Sequence, residues 1–333
     1  MGPLPVGTVE SSQRAKEEGR PSHDVCAVIV SHNSWSWLEP ALSSLRAQAG
    51  ELALDVVVVD NGDDGSAERA AQRFEGVRGI RCSNRGFAHA NNRGLMTADA
   101  RYLLLLNPDT EVLEGTLADL VAELDEHPEV GLAGCRQVDE QGRLWPTARR
   151  FPSVGRAVGE AIGPERLSRL AGRFGECELD LARYDREFSC DWTSGSFMLI
   201  RREALESAGL LDERFFFYSE EVDLCLRVKR AGWEIRHFPQ VTIAHYGGKT
   251  DASPRMEAQL AFARSQYAAK HFDPLRRAAF VAAIAARHLL RWCVFSLRGD
   301  SGPAAAQRRA LATLLGREAP PFGGPPRRAV EPR

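Results

Sequence analysis

Three short, almost wholly apolar runs lie in the first third of the chain, at residues 25–30, 54–60 and 102–106. Each run is rich in Val, Ile or Leu and ends in polar residues. Continuous apolar runs of this length are typical of parallel strands buried on both faces. Helical patterns separate and follow the runs, at residues 37–48, 66–74, 88–97 and 117–126. This alternation predicts an α/β fold with a doubly wound, mostly parallel sheet.

The residues after each predicted strand form the first candidate site. In doubly wound sheets, ligands bind where the parallel strands end. Here those ends carry short polar side chains, namely Ser31, Asn33, Asp60, Asn61, Asn107 and Asp109. Carboxylates at the mouth of a parallel sheet suit a divalent cation, and a hard cation with open positions suits a diphosphate.

The second half of the chain is less regular. A strand is predicted within residues 190–202, and an acidic cluster opens an amphipathic helix that runs to Arg230. One carboxylate of this cluster could act as a general base. The cluster consists of Glu220, Glu221 and Asp223. Together with the strand-end acids, it predicts group transfer from a nucleoside diphosphate compound.

The composition of the chain argues against several classes of protein. The 43 basic and 45 acidic residues give a net charge of −2, which argues against a nucleic-acid partner. Seven cysteines without a CxxC pair favour a reducing cytosol over a disulfide framework or a zinc ribbon. Residues 1–24 lack the apolar core of a signal peptide. The longest uncharged stretch near the C-terminus, residues 278–286, is too short to span a bilayer, so no spanning helix is predicted.

Common motifs also fail on spacing. No GxGxxG follows the first strand, and neither HExxH nor GxSxG occurs. Gly248-Lys249-Thr250 looks like the end of a P-loop, but Ile243 stands where its first glycine is needed. The stretch from Asp60 to Gly65 resembles the start of an EF-hand, but Gly62 occupies a ligand position.

Six strings, in order, resemble a family 2 glycosyltransferase, and more narrowly its bacterial rhamnosyltransferase branch. The resemblance covers about residues 25–250. Each string alone is weak, whereas six in the right order are specific. They are VSHNS at 30–34, VVVDN at 57–61, NRGFAHANNRG at 84–94, LNPD at 106–109, GSFMLIRR at 195–202 and LDERFFFYSEEVDL at 211–224.

The resemblance implies a GT-A fold, a nucleotide-sugar donor, inversion at the anomeric carbon and a bound Mg²⁺ or Mn²⁺. Asp60 matches the acid that contacts the nucleoside, and Asp109 matches the last acid of the DXD metal motif. Asn107 stands where the first Asp of that motif would be. Glu221 matches the catalytic base, although the usual residue there is Asp. His245 matches a downstream histidine that joins the metal site.

The same resemblance, with the residues themselves, assigns the remaining candidates. Trp192 and Gly195 are expected on the acceptor side, with plain core packing as the alternative for Trp192. Glu220 and Asp223 are the alternatives to Glu221 as base; Glu220 could instead hold the acceptor, and Asp223 could pair with Arg227 one turn later. The expected donor-binding residues are Ser31, Asn33, Asp60, Asn61, Asn84, Gly86, Phe87, Asn91, Asn92 and Asn107.

Two basic stretches allow two interpretations each. The arginines between Arg143 and Arg156 form either a solvated face or a site for an acceptor diphosphate. The arginines from 276 to 298 fall on one arc of a helical wheel whose remaining arc is mainly apolar. That helix packs either on the catalytic domain or a second subunit, which would make a homodimer, or on an anionic membrane surface, which we favour.

These observations predict a disordered leader at 1–24, a glycosyltransferase domain at 25–250, a helical extension at 251–298 and a disordered tail at 299–333. Within the domain, residues 25–110 would hold the nucleotide sugar and 111–250 the acceptor. The predicted activity is transfer of L-rhamnose from dTDP-L-rhamnose to a cell-envelope glycan or a polyprenyl-diphosphate-linked acceptor. A UDP-sugar donor and a non-catalytic sugar-nucleotide-binding scaffold are the alternatives. The expected location is the cytoplasm, at the inner face of the plasma membrane.

Overall fold

The computed structural model describes residues 21–162, 175–247 and 253–322, and within these ranges nine strands form one sheet. The strands are His23–Ser31 (β1), Leu54–Asp60 (β2), Val77–Arg81 (β3), Ala100–Leu106 (β4), Thr110–Glu114 (β5), Val130–Val138 (β6), Phe188–Ser189 (β7), Phe197–Arg201 (β8) and Glu234–His245 (β9). The helices are Trp35–Ala47 (α1), Ser66–Arg73 (α2), Phe87–Leu95 (α3), Leu117–Glu126 (α4), Val154–Ile162 (α5), Arg202–Ala208 (α6), Glu220–Arg230 (α7), Pro254–His271 (α8), Pro274–Arg298 (α9) and Ser301–Leu314 (α10).

The order of strands across the sheet is β3-β2-β1-β4-β8-β6-β9-β5, and β7 pairs with β9. The four strands β3, β2, β1 and β4 are parallel neighbours. β8 runs antiparallel between β4 and β6, while β6 and β9 are parallel to each other. The sheet is therefore mixed, with β5, β7 and β8 running against the other six strands. The predicted α/β class and mostly parallel sheet are confirmed.

Side chains alternate between the two faces of the sheet and build a core on each. Val56 and Val58 of β2 pack with Leu38 and Leu42 of α1 on one face. Val57 and Val59 belong to the cluster on the other face, which also contains residues of α6 and α7. Burying a Leu or Val side chain contributes about 1.5–3 kcal/mol relative to leaving it exposed. Both faces of the parallel strands are thus covered, as their uninterrupted apolar sequences predict.

The predicted helices agree with α1 to α4 and α7 within about two residues at each end. The strand expected within 190–202 is shorter, because only Phe197–Arg201 joins the sheet. The preceding backbone pairs elsewhere: the N–H of Arg149 donates to the carbonyl of Trp192 at 2.8 Å, and the N–H of Trp192 donates to the carbonyl of Arg149 at 3.1 Å. Residues 190–193 therefore belong to the loops beside the sheet and not to strand β8.

The C-terminal region contains more structure than the sequence predicts. Residues 299–322 were expected to be disordered, but α10 occupies Ser301–Leu314 and packs on α8 and α9. The side chains of His288 and Gln307 form a buried polar contact of 2.7 Å between α9 and α10. The small residues of α10, such as Ala306 and Ala310, let the helices approach closely. Residues 1–20 and 323–333, assigned to the leader and tail, lie outside the described residues.

The structure contains a helix, α9, that the prediction of no spanning helix did not anticipate. This helix has 25 residues and is long and apolar enough to cross a bilayer by length and composition. Counting only uninterrupted uncharged residues missed it, because Arg287 and Arg291 break up an otherwise apolar helix. Phe280, Ile284 and His288 on one side of α9 are buried against the protein.

Candidate active site

Asp60 lies at the carboxyl end of β2 and is fully buried. Its Oδ1 accepts a hydrogen bond from the N–H of Gly62 at 2.8 Å. Its Oδ2, like Oδ1 of neighbouring Asn61, is buried and has no hydrogen-bond partner among the described residues. Buried polar atoms are nearly always satisfied, so two orphaned oxygens at one strand end indicate a place for a ligand.

A cavity of about 600 Å³ opens beside these strand ends. We call it the donor cavity. It contains the predicted donor residues Asn61 and Asn84 and is lined by His32, Asn61, Gly62, Asp63, Arg81, Cys82, Ser83 and Asn84.

The side chains after β1 hold the rim of the donor cavity in shape. Asn33 adopts a left-handed backbone conformation with φ of 54°, and its Oδ1 accepts from the N–H of Asp63 at 2.8 Å. The hydroxyl oxygens of Ser31 and Ser34 lie 2.8 Å apart. Ser31 and Asn33 therefore flank His32 of the cavity lining and already have protein partners, and direct donor contact by either side chain stays a prediction.

Gly86 joins the donor side to the segment that precedes the acidic cluster. Its φ is 105°, and a Cβ at this position would lie 2.4 Å from the carbonyl oxygen of Phe216. The N–H of Phe87 donates to that same carbonyl at 2.7 Å. Only glycine allows this close approach, so close packing against Phe216 explains why position 86 is a glycine.

Asn91 and Asn92 are buried within α3. The Nδ2 of Asn91 donates to the carbonyl of Phe87 at 3.0 Å. Asn92 bridges to the backbone of Leu211, donating from Nδ2 at 2.8 Å and accepting at Oδ1 at 3.0 Å. These contacts brace α3 against the 211–218 segment, and direct donor contact by the two amides stays a prediction.

Asp109 and His245 meet although they are far apart in sequence. Oδ1 of Asp109 lies 3.2 Å from Nε2 of His245, because β5, which begins at Thr110, pairs with the end of β9. Nδ2 of Asn107 lies 3.3 Å from the same imidazole nitrogen. Nε2 of Gln137 lies 3.0 Å from Nδ1 of His245 and fixes the ring from behind. The predicted metal residues and Asn107 are therefore brought together.

Gly247 packs directly against the carboxylate of Asp109. A Cβ at this position would lie 1.7 Å from Oδ2 of Asp109, so any side chain there would displace the carboxylate. A carboxylate oxygen beside an imidazole nitrogen is a pair of ligands that a divalent cation such as Mn²⁺ accepts.

A second group of potential metal ligands lies beside the first half of β9, away from His245 at the end of that strand. Glu123, His127 and Glu187 have ligand atoms within 4.8 Å of one another. Glu187 already pairs with Arg236 at 2.7 Å, and Oε1 of Glu123 accepts from Gln240 at 2.9 Å. Protein partners thus already engage these carboxylates, and we assign the group no role.

Glu220 and Glu221 begin α7 after two residues with left-handed backbone. Tyr218 and Ser219 have φ values of 71° and 69°. Such conformations are uncommon for residues other than glycine and cluster at functional sites. The resulting bend places Glu221 beside Gly195, where a Cβ would lie 3.7 Å from Cβ of Glu221. Gly195, predicted on the acceptor side, is therefore adjacent to the predicted base.

Both carboxyl groups are in an environment that favours the protonated form. Burial raises the pKa of Glu220 well above its usual range, and the charges of Glu221 and Asp223 raise it further. Burial also raises the pKa of Glu221, while backbone N–H groups and Arg149 partly oppose the rise. Oε2 of each residue is buried and has no hydrogen-bond partner among the described residues. A carboxylate with a raised pKa is suited to accept a proton near neutral pH.

Asp223 differs from the two glutamates. Its carboxylate is fully buried and contacts Nε2 of His271 at 2.7 Å, Nζ of Lys270 at 2.6 Å and Nε of Arg227 at 2.9 Å. Burial alone would raise the pKa of Asp223, but the hydrogen bonds from His271 and Lys270 lower it below its usual range. The expected pair with Arg227 is confirmed. These contacts tie α7 to α8 and fix the direction of the catalytic cluster.

Trp192 is 7% exposed, and its indole N–H donates to the carbonyl of Arg150 at 3.0 Å. Its remaining surface lines a second cavity of about 420 Å³ that also contains Tyr218 and Glu221. We call this the Glu221 cavity. Trp192 therefore packs in the core, as one of its two predicted roles requires, and its contact with an acceptor sugar stays a prediction.

Comparison with known proteins decides the family. The sequence model described as "Glycosyl transferase family 2" matches residues 26–209, more than half of the chain. The chain belongs to glycosyl transferase family 2. Its sequence is 32% identical over 241 residues to N-acetylglucosaminyl-diphospho-decaprenol L-rhamnosyltransferase of Mycobacterium tuberculosis, covering 67% of this chain and 76% of that protein. It is 26% identical over 230 residues to rhamnosyltransferase WbbL of Escherichia coli, covering 67% and 83%.

Solved structures agree on the fold of this family 2 member. The mannosyltransferase PcManGT from Pyrobaculum calidifontis, in complex with GDP-Man and Mn²⁺, superposes with a TM-score of 0.54 at 16% identity and covers 93% of this chain and 94% of that one. GalNAc-T7 with UDP, GalNAc and Mn²⁺ also gives 0.54, at 15% identity, over 79% and 51%. The predicted GT-A fold is confirmed, and the chain is a glycosyltransferase of the rhamnosyltransferase-like branch.

Several residues around the family 2 site gave little signal in the sequence. Gln137 and Gly247 position the Asp109–His245 pair but fall outside any recognised string. Arg149 was marked only as one of a basic stretch. The correction concerns Arg287 and Arg291, which were expected to face a membrane: they line the Glu221 cavity instead.

Replacing Glu220 by glutamine is expected to stabilise this enzyme at neutral and alkaline pH. Because the pKa of Glu220 is higher in the folded state than in the unfolded state, the wild type loses stability as pH rises from about 4.5 toward the raised pKa. The loss is about 1.4 kcal/mol for each unit by which the pKa is raised. Urea unfolding of E220Q between pH 5 and 8 should therefore show a flatter pH dependence. E75Q, at an exposed glutamate, is the control and should keep the wild-type slope. If E220Q also keeps that slope, the raised pKa of Glu220 is contradicted.

Proposed function

We propose that the chain is a metal-dependent, inverting rhamnosyltransferase. The proposed donor is dTDP-L-rhamnose, and the proposed acceptor is a cell-envelope glycan or a sugar on a polyprenyl diphosphate. The observation that carries the proposal is the Asp109–His245 pair, which lies in one GT-A fold together with the buried Asp60 and the cavity-lining Glu221. The names of the two rhamnosyltransferase relatives support the choice of sugar, and the mycobacterial name supports the diphosphate-linked acceptor.

Asp109 and His245 would hold the metal ion, with Asn107 beside the imidazole. A glycine at 247 fits this role, because any side chain there would displace the Asp109 carboxylate. Such an ion, when bound, would neutralise the charge that develops on the departing diphosphate.

The chain's own residues would divide the remaining work. Asp60, with its buried unpartnered Oδ2, and Asn84 would bind the nucleoside in the donor cavity. Glu221 would accept the proton of an acceptor hydroxyl. The acceptor oxygen would then form a bond to the anomeric carbon from the face opposite the diphosphate, whose bond to that carbon breaks with inversion. Asp223 would act as a positioning residue because its contacts with Arg227, Lys270 and His271 fix α7.

A panel of nucleotide sugars in a thermal-unfolding assay tests the donor assignment. A ligand that binds only the folded state raises its melting temperature by mass action. We expect dTDP-L-rhamnose to stabilise the protein more than UDP-sugars, and only with Mn²⁺ or Mg²⁺. Stronger stabilisation by a UDP-sugar would instead assign that UDP-sugar as the donor. Stabilisation without any hydrolysis or transfer would instead favour a binding scaffold.

We also propose that α9 lies on the membrane surface rather than across the membrane. Its exposed side carries Leu289, Leu290, Val294 and Leu297, whereas His288 is buried in the protein. Arg287 and Arg291 line the Glu221 cavity, and charged groups of this kind are costly in lipid. An amphipathic helix with one exposed apolar side suits the interface.

Removing part of this apolar side is expected to weaken membrane binding. The wild type should sediment with anionic liposomes, and L289Q/V294Q should lower its partition coefficient at least about tenfold, because each apolar side chain contributes on the order of 1.5 kcal/mol when buried. L315Q, at an exposed leucine beyond α10, is the matched control. If the double variant instead dissociates a dimer on a sizing column, the apolar side is a subunit interface.

A further inference from the structure

Two arginines of the C-terminal extension line the Glu221 cavity. Arg287 and Arg291 are four residues apart on α9, so both project from the same side of the helix. Arg149, from the segment before α5, lines the cavity as well. The family match ends at residue 209, so α9 lies outside the part of the chain that the family model covers.

Four arginines and three glutamates line the cavity, which leaves a formal excess of one positive charge. Arg264 contacts Glu160 at 3.0 Å and Glu176 at 2.5 Å, so these two carboxylates are engaged by one guanidinium. Burial lowers the pKa of Arg287, and the charges of Arg291 and Arg264 lower it further despite the opposing charge of Glu160. Crowded guanidinium groups of this kind create a local positive potential that attracts anions.

The cavity-lining arginines and the predicted base, Glu221, border the same cavity. Arg149 lies over the ring of Trp192, with its guanidinium carbon 5.2 Å from the ring centroid. Its positive charge acts to lower the pKa of Glu221, against the effect of burial. Trp192, Glu221, Arg287 and Arg291 all line the same cavity. Its volume of about 420 Å³ falls in the range of roughly 300–1,000 Å³ that is typical of small-molecule sites. A sugar could lie on Trp192 with a hydroxyl at Glu221 and an anionic substituent at the arginines.

We propose that Arg287 and Arg291, together with Arg149, bind a phosphate or diphosphate group on the acceptor sugar. Guanidinium groups match phosphate oxygens in geometry and charge. This inference rests on the proposed function, since it assumes that the acceptor enters beside Glu221. It makes the C-terminal extension a determinant of acceptor specificity.

Transfer kinetics with two matched acceptors test the assignment. One acceptor is N-acetylglucosamine linked through a diphosphate to a short alkyl chain, and the other is the neutral alkyl glycoside. R287Q/R291Q should raise KM for the diphosphate acceptor by about 10- to 100-fold, the usual range for losing charge-assisted hydrogen bonds. KM for the neutral acceptor and for the donor should not change. R298Q, at the exposed end of α9, is the matched control, and R287K/R291K should retain much of the preference.

Equal changes in KM for both acceptors, or no change for either, would overturn the assignment. A binding assay in EDTA separates this inference from the proposed function, because it needs no turnover. A short alkyl diphosphate should raise the melting temperature of the wild type but not of R287Q/R291Q. If it does so while no sugar is transferred to any acceptor, the proposed function fails and the anion site stands. Stabilisation by inorganic diphosphate but not by the alkyl ester would overturn an acceptor site.

Discussion

Replacing Asp109 by alanine is expected to abolish Mn²⁺-dependent donor binding and to lower sugar transfer by at least about 10³-fold. Oδ1 of Asp109 lies 3.2 Å from Nε2 of His245, so the variant removes the carboxylate of the proposed metal site. A metal ion contributes several kcal/mol to stabilising a departing diphosphate, and about 1.4 kcal/mol corresponds to a factor of ten in rate. Isothermal titration with the donor, with and without Mn²⁺, measures the binding directly.

D99A is the matched control for this variant. Asp99 precedes β4 and lies at the opposite end of that strand from Asp109, where it accepts a hydrogen bond from Ser22 at 2.7 Å. Its loss should leave the Mn²⁺ dependence of donor binding intact. Undiminished Mn²⁺-dependent binding in D109A would exclude Asp109 as a metal ligand.

Replacing Glu221 by glutamine is expected to lower turnover by about 10²- to 10⁴-fold, the usual contribution of a positioned base, with the fold and donor affinity unchanged. The wild type should also lose activity as pH falls, because protonation inactivates the base. Burial raises the pKa of Glu221, so this loss should occur above the ordinary glutamate pKa of about 4.5. Rapid-quench measurement of transfer between pH 4.5 and 8 gives both quantities.

E220Q distinguishes the two adjacent glutamates. It should retain most of the turnover, since the bend at Tyr218 and Ser219 places Glu221, rather than Glu220, on the wall of the Glu221 cavity. If E220Q shows the large loss and E221Q does not, the base is Glu220. D223N is expected to lower the stability of the fold more than the rate of transfer, because Asp223 is fully buried and its carboxylate contacts Arg227, Lys270 and His271.

The parallel half of the sheet could be predicted from sequence because local pattern determines it. A strand buried on both faces needs an uninterrupted apolar run, and 54–60 and 102–106 provide such runs. The insertion of antiparallel β8 between β4 and β6 depends instead on contacts between distant segments. No hydrophobic periodicity in the sequence indicates this order of strands. The same limit applies to α10, whose alanine-rich sequence becomes helical core only once α8 and α9 cover it.

The site divides in the same way. Asp60, Asp109 and Glu221 belong to strings that predict their chemistry. The structure places Asp60 buried at the end of β2, Asp109 beside His245 and Glu221 on the wall of the Glu221 cavity. A helical wheel put the arginines of α9 on one arc, but it could not say whether that arc faces lipid or protein. The structure turns Arg287 and Arg291 inward and leaves leucines outside. Gln137 and Gly247 act only through spatial neighbours, so their sequence context carried no signal.

Acceptor-dependent release of dTDP from dTDP-L-rhamnose, followed by chromatography with Mn²⁺ or with EDTA, tests the central claim most directly. The wild type should release dTDP and form a rhamnosylated acceptor in equal amounts, only when metal is present. D109A and E221Q, run alongside, should both be inactive on this scale, while only E221Q still binds the donor. Metal-independent transfer, or full activity of either variant, would contradict the assignment of Asp109 and Glu221.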